Sequence, residues 1–287
     1  MSIRTDLALE KHEIHKNNLP KGVEIREYKN GSSIATEIII TDNEGAEVIG
    51  KPKGKYITLE GDGILDNDES FQESAAMLSD MLSRLIPESG TVLVAGLGNT
   101  DITADAIGPL SAKGVIATRH IPESTKEKTG LPFLRDVAVI SPGVTGKTGI
   151  ETGEIIAGIK EKIKPSAIII IDALASRSVK RLGRTVQLSD TGISPGSGVG
   201  NRRNEISEKT MGVPVIAIGI PTVVDAATLA FDLTGKESTD SEFSEMMVTP
   251  KDTDMLVSKG AGLITLSINR ALQKNLSYEE IMALSLP

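Results

Sequence analysis

The stretch VLVAGLGNTDITADAIGP (92–109) starts like a nucleotide-binding strand and turn, then departs from one. Its apolar strand, 92–95, runs into Gly96-Leu97-Gly98-Asn99, as a dinucleotide fold would. The third glycine of G-x-G-x-x-G should stand at 101, but Asp101 is there, with Asp105 four residues on. A carboxylate repels a pyrophosphate, and Asp lacks glycine's freedom for the close turn. What remains is a strand, a turn and a helix of α/β type, with carboxylates in place of a phosphate cradle.

Outward from this stretch, short apolar runs recur at 137–140, 167–172, 185–190 and 215–220. Their unbroken hydrophobic character predicts strands covered on both faces. Between them, 68–86 carries Phe71, Ala75, Leu78, Met81, Leu82 and Leu85 roughly on one helical stripe, and 154–163 repeats the pattern with isoleucines. Thr249-Pro250 reads as an N-cap followed by Pro at the first helical position, opening a long helix to about Gln273. Upstream, 33–62 alternates as a hairpin-rich β appendage, with EVIGK (47–51) as one of its strands. Residues 1–30 are polar and read as an arm. The fold class expected is α/β, a mostly parallel sheet covered by helices with an N-terminal β-hairpin appendage.

Composition narrows the chemistry. A chain of 287 residues can bury a full core. A formal net charge of −8 argues against nucleic acid as a direct partner. The absence of Cys excludes thiol catalysis and Cys-based zinc sites, and His12, His15 and His120 are the only imidazoles. Aromatics at 2% leave no stacking platform for single strands. No apolar run is long enough to span a bilayer. A soluble intracellular protein without membrane or nucleic-acid contact is the expectation.

Several motifs imitate known sites and fail on one requirement each. SPGVTGKTGIETG (141–153) ends like a P-loop, yet Ser141 stands where its first Gly is required. GISPG (192–196) fits a nucleophile elbow, but no His follows Ser194 in the chain. SDTG (189–192) contains the Asp-Thr-Gly of pepsin-like proteases, around Asp190, in a single copy and outside an all-β context. HEIH (12–15) lacks the H-E-x-x-H spacing. Carboxylates are left. Asp172 ends the isoleucine run AIIIID, and Asp105 follows the 96–101 turn near a helix start. If their strands are neighbours, both reach one cleft, where one carboxylate can activate water while the other protonates a leaving group. Two other readings stay open at this point: a metal site on Asp105, Asp172 and His120, and a nucleotide site on GKTG and IIIID.

The same blocks carry a resemblance. GLGN, TADAIGP, ATRH (117–120), PGVTGKTGIET (142–152), IIIDALASRS (169–178), LSDTGISPGSGVGNRR (188–203) and GVPVIAIGIPTVVDA (212–226) together resemble the germination protease family of spore-forming bacteria, from Arg4 to about 273. The resemblance implies an endopeptidase of small acid-soluble spore proteins in the spore core, made as a zymogen and assembled as a homotetramer. It implies a fold similar to the hydrogenase-maturation endopeptidases, and no cofactor. It places the catalytic aspartates at Asp105 and Asp172. RTDLALE (4–10) resembles the family's processing junction, implying cleavage between Asp6 and Leu7, so that 1–6 is a propeptide and 7–287 one peptidase domain. Lys147 and the short stretch after Asp232 depart from the family pattern.

Overall fold

The computed structural model describes residues 5–13, 20–31, 33–61, 68–131, 133–196, 204–235 and 246–285. Its strands are β1 (Val23–Asn30), β2 (Ser33–Ile40), β3 (Gly54–Glu60), β4 (Val92–Gly96), β5 (Val137–Ile140), β6 (Ala167–Ser176), β7 (Thr185–Ser189), β8 (Val215–Asp225) and β9 (Met247–Val248). They form one sheet in the order β1-β2-β3-β7-β8-β6-β4-β5, with β9 paired to β8. The half containing β8, β6, β4 and β5 is parallel. The α/β reading therefore holds.

The β6 isoleucines explain the layering. Ile168 and Ile170 pack on one face with Ile156 of the helix Thr152–Ile163. Ile169 and Ile171 pack on the other, with residues of the helices Asp68–Ser83, Ile107–Lys113 and Thr253–Leu272. A strand buried on both faces has no polar position to offer, so the run is unbroken. Each such isoleucine removed from water contributes about 1.5–3 kcal/mol.

The expected antiparallel N-terminal region is present and joins the main sheet: β3 pairs with β7, so β1, β2 and β3 extend that sheet at one edge. Within it, Asn43–Ile49 is a helix rather than the strand expected at 47–51. Asp42 accepts the Gly45 N–H at 2.8 Å and Gly50 closes the other end, so the cap residues outweigh the apolar Val48-Ile49 pair. The long helix begins at Thr253, a turn after Thr249-Pro250, because the Thr249 hydroxyl donates to the Thr222 carbonyl at 3.0 Å and ties that turn to β8.

The polar arm is also corrected. Residues 23–30 are strand β1, and Ala8–Glu13 is a short helix with Ala8 and Leu9 buried, as is Leu7 just before it. The apolar triplet Leu7-Ala8-Leu9 was the signal, diluted by charged neighbours. Among the described residues, no helix is long and apolar enough to cross a membrane.

Candidate active site

Strand order opens a crevice beside β6. From β4 the chain goes to β5 on one side and then returns to β6 on the other, which is a switch point. β4 stops at Gly96, opposite Ile171, and the Leu97 N–H makes the last bond to the Ile171 carbonyl at 2.8 Å. β6 continues alone beside β8 to Ser176. Asp172 is thus the first residue past the point where β4 turns away. It lies within the strand and not at its end, because β8 goes on pairing with it. The residue is 7% exposed, and its Oδ1 accepts the Ala173 N–H at 2.9 Å.

Asp105 arrives from the loop after β4. The turn passes through Gly98 at φ 119°, where a Cβ would meet the Asp105 carbonyl oxygen at 2.0 Å. The room left by that glycine lets the Asn99 N–H reach both the Asp105 carboxylate, at 2.8 Å, and its carbonyl, at 3.1 Å. Asp105 closes a single 3-10 turn, Thr103–Asp105, just before the helix Ile107–Lys113. The Thr222 hydroxyl donates to the Ala104 carbonyl at 2.7 Å and pins that turn to β8. Asp101, in the place of the third glycine, forms an ion pair with Lys147 of the GKT segment. The residue that spoils the first phosphate motif thus occupies the lysine of the second, at the surface.

Asp105 and Asp172 line one cleft of about 500 Å³, together with Asp6, Gly143, Ser194 and Thr222. The remaining sequence candidates lie elsewhere or serve the fold. His120 is exposed in a turn and is not among the described residues lining the cleft. The Asp190 carboxylate accepts the Lys55 N–H at 2.7 Å, joining β7 to β3. His12 is half-buried on the helix Ala8–Glu13, and His15 lies outside the described residues.

Asp6 is in this cleft because the N-terminal segment is laid across the sheet. Its N–H donates to the Ala175 carbonyl at 2.9 Å, and its carboxylate accepts the Ala175 N–H at 2.9 Å. Gln187 of β7 donates to the Asp6 carbonyl at 3.0 Å and accepts the Ala8 N–H at 2.7 Å. Composition gave no sign of these contacts, since each is to main chain or to a residue far along the sequence. On the other side of Asp6 lies a second hollow of about 370 Å³, lined also by Lys11, Lys51, Tyr56 and Gln187. Burial pushes the Lys51 ammonium below the usual lysine range, and the charge of Asp6 opposes that shift.

A family model described as germination protease matches residues 4–235. The chain belongs to the germination protease family. It is 43% identical to the germination protease of Caldanaerobacter subterraneus subsp. tengcongensis, covering 98% of this chain and 97% of that one. The Clostridium tetani germination protease is 43% identical over 98% of each chain. That of Priestia megaterium is 47% identical over 80% of this chain and 66% of its own. Among solved structures, a [NiFe] hydrogenase maturation protease, HycI from Thermococcus kodakarensis KOD1, matches 68% of this chain and 99% of its own at 17% identity, with a TM-score of 0.40. So loose a superposition supports no inference. Membership makes the chain a protease of the germination type.

Proposed function

We propose that this chain is an endopeptidase that degrades small acid-soluble spore proteins in the spore core at germination, using Asp105 and Asp172 to activate water. The observation that supports it is the shared cleft, in which Asp172 of β6 and Asp105 of the turn after β4 stand together with Asp6 of the N-terminal segment. One carboxylate takes a proton from water as its oxygen adds to the scissile carbonyl carbon. The other donates a proton to the departing amide nitrogen. The reaction needs no cofactor or metal in this reading, and the working assembly is a homotetramer.

The chain is also made as a zymogen that cuts itself between Asp6 and Leu7, so that 1–6 is a propeptide and 7–287 the peptidase. Support comes from Asp6 lining the cleft with both aspartates, and from Leu7 being fully buried beside it. An acidic residue followed by an aliphatic one is then both the processing junction and the pattern sought in substrates. Incubation of the purified chain with small acid-soluble spore proteins should give discrete fragments, and N-terminal sequencing of aged protein should begin Leu-Ala-Leu-Glu. Spore proteins left intact by the chain under conditions that activate its relatives would overturn the substrate assignment. An active enzyme still carrying Met1 or Ser2 would overturn the zymogen.

A further inference from the structure

Gln187 lines the second hollow and lies in register with Asp172. It pairs with Gly219 of β8, and Gly219 pairs with Asp172 of β6, so the three form one row across the sheet. Aligned residues on neighbouring strands project to the same face, and a strand spacing of about 4.8 Å puts the Gln187 and Asp172 backbones about 10 Å apart. Gly219 adds no side chain of its own, the Leu174 side chain packs over it, and Thr5, Asp6 and Leu174 line the hollow there together with Gln187.

Gln187 is 8% exposed, and its side-chain amide uses both of its ends. Its Nε2 donates to the Asp6 carbonyl at 3.0 Å, and its Oε1 accepts the Ala8 N–H at 2.7 Å. A carbonyl can only accept and an N–H can only donate, so these partners determine which way the amide points. The peptide bond between Asp6 and Leu7 therefore has its carbonyl oxygen on a buried side-chain donor, and Ala175 holds the Asp6 N–H and carboxylate on the other side.

We infer that Gln187 is the oxyanion donor of the cleavage reaction. The inference rests on the proposed cut between Asp6 and Leu7. When water adds to the Asp6 carbonyl carbon, a C–O bond forms and the C=O π pair moves onto oxygen. The Nε2–H of Gln187 is aimed at that oxygen, and a hydrogen bond to a developing negative charge strengthens as the charge appears. One aspartate takes the water proton. The pair then collapses back, the C–N bond breaks, and its electrons stay on the Leu7 nitrogen, which receives a proton from the other aspartate. The products are the Asp6 carboxylate and the Leu7 amine. Oε1 meanwhile holds the Ala8 N–H, keeping the leaving side in line. A substrate with an extended chain in the same place would present its scissile carbonyl to the same group.

The test follows self-conversion of the full chain, with two variants. Gln187→Met removes the donor, and the expected outcome is conversion slowed about 100-fold or more. A residue that merely anchors the arm would slow conversion only as far as the arm loosens. Arm docking is therefore measured separately, as hydrogen-exchange protection of the Asp6 and Leu7 amides in an Asp172→Asn background that keeps the chain intact. Protection should fall much less than the rate. Gln187→Glu keeps the shape, and its neutral acid restores an O–H donor, so its conversion should recover as pH falls while that of Gln187→Met does not. A rate that drops only in step with protection, normal conversion by Gln187→Met, or conversion by Gln187→Glu that does not rise as pH falls overturns the inference. A parent chain that digests spore proteins without cutting at Asp6–Leu7 also overturns it, and leaves the proteolytic reading standing.

Discussion

The Glu10 carboxylate, 2% exposed, is bound to Arg181 across the join between the N-terminal helix and the sheet. One oxygen accepts the Arg177 N–H at 2.6 Å and the Thr5 hydroxyl, while the other accepts the Ser178 N–H at 3.0 Å and the Arg181 guanidinium at 3.3 Å. Arg181 continues to Glu13 at 2.8 Å and Glu60 at 2.8 Å; burial lowers its pKa, and these partners together outweigh that and hold it above the ordinary arginine value. The pair therefore fastens Thr5, and with it Asp6, over the end of β6.

Glu10→Ala should cost about 2–3 kcal/mol, the scale of hydrogen bonds to a buried charge. It strands the Arg177 and Ser178 amides, although Arg181 keeps its other two carboxylates. A urea midpoint equal to that of the parent chain would contradict the arrangement.

Asp105→Asn and Asp172→Asn should each lower cleavage by at least about 100-fold and leave the fold intact, because an amide of the same shape cannot take up a water proton. Asp190→Asn keeps an oxygen for the Lys55 N–H, so it should cleave close to normally and shift stability by less than about 0.5 kcal/mol. Matched cleavage assays alongside circular dichroism separate the three. Near-normal cleavage by either of the first two would remove that residue from the mechanism.

Exhaustive chelation should leave the proteolytic activity of the processed chain unchanged. His120 is exposed and outside the described lining of the cleft, and among the described residues no cluster of His, Asp and Glu could hold a metal ion. Activity lost to a chelator and restored by one specific metal would favour a metal-dependent peptidase.

Lys51 makes stability depend on alkaline pH. Its pKa is lower in the folded chain than its ordinary 10.5, so the unfolded chain binds more protons between those two values. Stability should therefore rise as pH climbs through that window, and Lys51→Met should flatten the rise. Urea midpoints measured across the alkaline range, identical in slope for both proteins, would refute it.

The α/β class and the buried isoleucine strand were legible in the sequence because each rests on local pattern. Strand burial on both faces writes itself as an unbroken apolar run, and a failed glycine motif is visible at a single position, Asp101. The helix Asn43–Ile49 was equally legible from Asp42 and Gly50, and was obscured by the neighbouring β pattern. Tertiary structure alone decided which residues meet. Gln187 reads as one polar residue in a β-strand until Gly219 and Asp172 align with it across β8 and β6. Residues 5–13 read as a solvated arm because their composition is polar, yet their carboxylates and main chain find partners about 165 to 180 positions away. Hydrophobic period reports which side of an element is buried. It carries no information on which distant donor will satisfy a given acceptor, and that pairing is what brings Asp6 to Asp105 and Asp172.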